Sequence, residues 1–103
     1  MADWIKTDIN FNSRLALIRL SEFRVQEILI ETGKSNMRHG DPDLLAQWLK
    51  ELIEFDAPQL QGLTVLGLRI DYARLCWEAI CEHPTFDVHR PGEELPEIAI
   101  QKR

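Results

Sequence analysis

No run of apolar residues in this chain approaches the ~18–20 that a membrane-crossing helix needs. The opening residues, Met1-Ala2-Asp3-Trp4-Ile5-Lys6, lack the basic-then-apolar layout of a secretory signal. Cysteine is scarce. Cys76 and Cys81 are too few for the disulfide framework of a small secreted domain and fit reduced thiols in a cytosol. The expectation is a soluble cytoplasmic protein. Positive charge is scarce as well: 12 Lys and Arg against 17 Asp and Glu give a formal net charge of −5. A duplex-binding surface works by concentrating positive charge to displace counterions, so here it exists only as a local patch.

Catalytic signatures are also missing. There is no His-Glu-x-x-His, no calcium loop and no Cys-x-x-Cys. Thr32-Gly33-Lys34-Ser35 resembles the end of a phosphate-binding loop, but Ile28 stands where the pattern needs its first glycine. Ser35 lacks a Gly-x-Ser-x-Gly setting, because Met37 takes the last glycine position. No cofactor is expected, and no metal.

What is present reads as one domain over residues 1–103, with a mobile tail at 97–103. The apolar spacing predicts an all-α, three-helix bundle-like domain, with helices at about 13–32, 42–55 and 62–83 and irregular or short-strand ends. Ser13 or Asn12 caps the first helix and Gly33 ends it. Asp41-Pro42-Asp43 starts the second, with Leu45, Trp48, Leu49, Leu52 and Ile53 as its stripe. Lys50 and Glu54 form an i,i+4 pair outside. In the third, Leu63, Leu66, Ile70, Ala73, Trp77 and Ile80 step by three and four, as in a helix–helix seam.

On such a helix Cys76-Trp77-Glu78-Ala79-Ile80-Cys81-Glu82-His83 is no metal or redox site. Five residues turn a helix by ~500°, so the two thiols diverge. His83 lies ~10 Å along the axis from Cys76, too far to share one zinc ion. Both cysteines then read as buried apolar residues, and His83 as a last-turn cation.

The candidate partner-binding residues fall in three groups. Arg38 and His39 sit in the basic, glycine-flanked loop before the second helix, a place for a carboxylate or phosphate to dock. Arg69 and Tyr72 share an apolar column of the third helix and suit interface anchors; an internal pair of Arg69 with Glu22 or Glu27 is the plainer alternative. Glu78, Glu82, Glu93, Glu94 and Glu97 would form an acidic surface able to occupy a basic groove of a target.

The first and third helices each carry two apolar sides, more than a three-helix monomer buries, which points to a homodimer through the 62–83 helix. The function expected first is a small non-enzymatic protein-binding module. It would be an inhibitor, immunity protein or adaptor of the kind phages and mobile elements encode, acting by occluding a target surface. A regulator binding nucleic acid through Arg14, Lys34, Arg38 and His39 comes second. A metal-dependent enzyme or sensor using His83, His89 and the nearby carboxylates comes third.

Overall fold

The computed structural model describes residues 4–7, 13–34, 41–90 and 92–99. It is a mixed α/β domain with two helices packed on one face of a five-stranded sheet. The expected helical bundle is wrong. Only its second helix survives as drawn.

Five strands and two helices follow one another as β1 (Lys6–Thr7), β2 (Leu15–Ser21), α1 (Glu22–Thr32), α2 (Pro42–Asp56), β3 (Thr64–Asp71), β4 (Cys76–Glu82) and β5 (Glu97–Ala99), with a 3-10 turn at Pro58–Leu60. The sheet order is β1-β3-β4-β2-β5. Every pair is antiparallel except β2 with β5, which run parallel. The tail expected to be mobile therefore begins on a strand, held by Ile18 opposite Ile98.

The segment expected as one helix over 13–32 is a strand followed by a helix. Leu15 to Ser21 alternates: Ala16, Ile18 and Leu20 join the core under the helices, while Leu15, Leu17 and Arg19 take the other face. Ser21 then caps α1, its hydroxyl accepting from the Arg24 N–H at 3.0 Å. Gly33 ends α1 in the left-handed region at φ 69°, as expected for a helix C-terminus.

α2 matches its expected start. The Asp41 carboxylate accepts from the backbone N–H of Asp43 and Leu44, and Pro42 occupies the first turn. The Lys50–Glu54 pair forms at 2.6 Å, and Glu54 also accepts from the Gly62 N–H at 2.6 Å. Burial pushes the Glu54 carboxyl up, but these two donors outweigh it and hold the carboxyl below its ordinary range.

The expected 62–83 helix is a β-hairpin. A bulge leaves Leu66 without a partner, since Val65 pairs with Cys81 and Gly67 with Ile80. Val65 and Leu68 thereby face the core three residues apart, a helix-like step made on a strand. Ala73, placed on the supposed seam, is an exposed turn residue. The helix through which a homodimer was expected is therefore absent, and two strands stand in its place. The surplus of apolar sides has a different origin: β2 and β4 are buried on both faces.

The core joins α1 and α2 to β2, β3 and β4, with Trp48 edge-on to Trp77 at 5.2 Å between ring centroids. The indole N–H of Trp77 donates to Glu22 at 2.8 Å.

The hairpin turn carries the fold's one positive-φ side chain among the described residues, Leu75 at 51°. Asp71 starts this turn by accepting from the N–H groups of Ala73 and Arg74. Left-handed backbone costs an L-residue roughly 1–2 kcal/mol, and Leu75 is exposed, so its burial returns little. Leu75→Gly is therefore expected to raise stability by about 0.5–1 kcal/mol, seen as a Tm higher by a few degrees in thermal melts. A fall in Tm would show that the leucine side chain supports the turn.

Candidate interaction surface

The candidate residues do not form one site. Arg38 and His39 lie outside the described residues. Of their loop, Lys34 is described, and it pairs with Glu51 of α2. Tyr72 stands exposed in the hairpin turn, while Glu82 is half-buried at the far end of β4, and Glu93 and Glu94 are exposed in the loop before β5.

Arg69 and Glu78 are brought together, in a way that alternation along paired strands dictates. Arg69 of β3, Glu78 of β4 and Arg19 of β2 sit side by side on the face away from the helices. Glu78 is 1 % exposed. One carboxylate oxygen accepts from Arg69 Nε at 2.9 Å and the other from Arg19 at 3.0 Å. Arg19 also reaches Glu97 at 3.3 Å, and this pairing pushes its already high pKa up further, the Glu78 hydrogen bond contributing most. The indole of Trp4 lies 4.5 Å from the Arg69 guanidinium carbon, a cation–π contact. Glu78 is thus an internal counter-ion, and the acidic surface drawn through it does not exist as one patch. The internal pair expected for Arg69 is real, with Glu78 in the place given to Glu22 or Glu27.

The cysteines are buried, free and on opposite faces of β4, because an odd spacing on a strand reverses direction. Burial pushes the Cys81 thiol up to about 12. The sign follows from linkage: above pH ~8.5 the unfolded chain releases this proton while the folded chain keeps it, so stability falls as pH rises from there toward 12. At pH 10 the expected loss is about 2 kcal/mol. Urea midpoints from pH 7.5 to 10 should fall more steeply for the wild type than for Cys81→Ala. Equal slopes would place the thiol in contact with water.

His83 is buried rather than a helix-end cation. Its Nε2 donates to the Gln61 carbonyl at 3.1 Å, which fixes the tautomer, and its Nδ1 accepts from the Thr85 N–H at 3.2 Å. It ties the end of β4 to the turn before β3. Among the described residues no group of three or more His, Cys, Asp or Glu could hold a metal ion, and no helix is long and apolar enough to cross a membrane.

The feature that folding leaves unexplained is apolar. Phe23 is 74 % exposed, Ile30 81 %, Tyr72 72 % and Leu75 66 %. Phe23 and Ile30 are seven residues apart on α1, two turns and ~10 Å along one side. Val25, Ile28 and Leu29 take the opposite side into the core. The turn holding Tyr72 and Leu75 abuts the start of the same helix, where the Glu22 N–H donates to the Leu75 carbonyl at 2.8 Å. That backbone hydrogen bond is what links the helix start to the turn.

The flank of α1 beside Phe23 and Ile30 carries Glu27 and Glu31. Arg24, buried beneath it, donates through Nε to both oxygens of Asp56 at 3.1 and 3.0 Å and approaches Glu27 at 3.6 Å and Glu31 at 3.5 Å. Glu27 and Glu31 lie ~40° and ~80° round α1 from Phe23. Arg74, in the turn, is balanced by Asp71 at 3.8 Å.

Comparison with known proteins adds no relative: no protein-family model, no curated protein and no solved structure matches this chain.

Proposed function

We propose that this chain is a small non-enzymatic protein-binding module of the cytosol, acting as an inhibitor, immunity protein or adaptor that occludes a target surface. One observation carries the reading. Four large apolar side chains are held out of the core, Phe23 and Ile30 on one side of α1 and Tyr72 and Leu75 in the turn hydrogen-bonded to its start. A monomer leaves single apolar residues in water without consequence, whereas a rigid group of them marks a contact surface. Aromatic anchors such as Phe23 and Tyr72 are the residue types that dominate such contacts.

The test is retention by immobilised protein. Wild type, the double variant Phe23→Ser with Ile30→Ser, and Val88→Ser would be exposed to the same lysate of the source cell or its host. Val88 is also exposed, but in the segment after β4. The reading expects a protein kept through a high-salt wash by wild type and Val88→Ser and lost by the double variant. Identical eluates from all three would remove the reading. Nucleic acid held at low salt alone would favour the regulator alternative.

A further inference from the structure

We propose that a cavity at the end of the sheet binds a free α-amino acid, with Arg14 taking its carboxylate and Glu82 its ammonium group. This site does not depend on the protein-binding reading above. The length of β4, ~20 Å, separates it from the turn holding Tyr72 and Leu75.

The sheet register builds the cavity. Leu15 of β2 and Thr64 of β3 both lie opposite Glu82 of β4, so three strands end in line. Arg14 precedes β2, Gly62 precedes β3, and His83 follows β4. Together with Thr64 and Glu82 they line a cavity of about 460 Å³, within the roughly 300–1,000 Å³ of small-molecule sites. Its walls are held in place. Arg14 Nη1 donates to the Phe86 carbonyl at 2.8 Å. The His83 ring is fixed between the Gln61 carbonyl and Thr85, so both its nitrogens are engaged.

Charge pairing carries the assignment. A guanidinium and a carboxylate line one cavity without bonding to each other. Among the described residues neither has another ion-pair partner. Elsewhere, opposite charges close on one another: Lys34 with Glu51, Lys50 with Glu54, and Arg69 with Glu78. Glu82 is half-buried, which strengthens its attraction for a cation relative to open water.

A ligand carrying both signs satisfies both groups with charge-assisted hydrogen bonds. A simple anion meets Arg14 but is repelled by Glu82, and a simple amine meets the reverse. A metal ion would find one carboxylate beside a guanidinium, with the imidazole already committed. The Thr64 hydroxyl can donate or accept and so serves either end of the ligand.

In the experiment, the common L-amino acids are titrated singly into the full chain and followed by amide NMR shifts. At least one is expected to bind, with shifts centred on residues 13–15, 62–64 and 82–84. Its carboxamide and its N-acetyl form each lack one charge, and each should bind about tenfold more weakly. Arg14→Gln should weaken the amino acid about tenfold and leave its carboxamide unchanged. Glu82→Gln should weaken the amino acid by about the same factor and leave the N-acetyl form no worse. Glu94→Gln, in the exposed loop before β5, should change nothing.

No shifts with any amino acid, or shifts centred on other residues, would overturn the proposal. Equal binding of the carboxamide and N-acetyl forms would do the same. Acetate or phosphate bound at these residues as tightly as the amino acid would replace the zwitterion by a simple anion and overturn it too. None of these outcomes bears on retention from the lysate, which reads Phe23 and Ile30.

Discussion

Glu78→Ala is expected to remove about 3–5 kcal/mol of folding stability, a fall in Tm of at least about 12 °C for a domain of this size. Glu78 is the shared counter-ion of two arginines on a buried sheet face. Deleting it leaves Arg19 and Arg69 with like charges across β4 and no carboxylate between them. Arg19 retains the more exposed Glu97, and its buried Nε has no acceptor among the described residues even in the intact protein. Glu78→Gln keeps the shape and loses the charge, so its cost should be about half. The informative variant is Arg19→Met, Glu78→Leu and Arg69→Met together. Replacing a whole buried ionic cluster by apolar groups is often neutral or stabilising by about 1–4 kcal/mol, so the triple variant should recover most of what Glu78→Ala loses. Urea unfolding of the three proteins decides it. A loss below about 1 kcal/mol for Glu78→Ala would mean that water reaches the carboxylate.

That triad also shows where reading the chain stops. Arg69 and Glu78 are recognisable from sequence as charges among apolar residues, but on a helix they lie nine residues apart with no reason to meet. Only the hairpin register sets them opposite each other, and only the β2–β4 pairing adds Arg19. α2 is legible because local signals agree: a capping aspartate, a proline in the first turn and a single apolar stripe. The two misread segments share one physical cause. A strand buried on both faces has apolar residues at consecutive positions, and any helix drawn through them acquires two apolar sides. In the hairpin, the bulge at Leu66 adds a three-residue step that imitates a helix seam. Some local signs pointed to strands. Thr64, Val65 and Ile70 are β-branched, Gly67 sits mid-segment, and Asp71 opens a turn. Phe23 and Ile30 become a surface stripe only once Ser21 is recognised as the start of α1. Ser21 is a weak signal, because Arg24 stands where a capping box has glutamate.

The second large effect is at Arg24, and its two sides should be unequal. Arg24 and Asp56 are both buried and join α1 to the end of α2. Breaking such a pair costs about 3–5 kcal/mol when one charge is left uncompensated. Asp56→Ala leaves Arg24 with Glu27 and Glu31 still within reach, so its cost should sit at or below the lower end. Arg24→Ala removes the cation that Asp56, Glu27 and Glu31 share and leaves the buried Asp56 without it, so its cost should reach the upper end. A double-mutant cycle should therefore show strong coupling, with Asp56→Ala restoring stability once Arg24 is gone, because it removes the buried carboxylate left without its cation. Two further readouts separate repulsion from lost packing. High salt should restore part of the Arg24→Ala loss by screening the partly exposed Glu31. Adding Glu31→Gln to Arg24→Ala should also restore stability, although the same change in the wild type removes a favourable contact. If neither does, the arginine matters through its buried alkyl stem, and Arg24→Met should then be harmless.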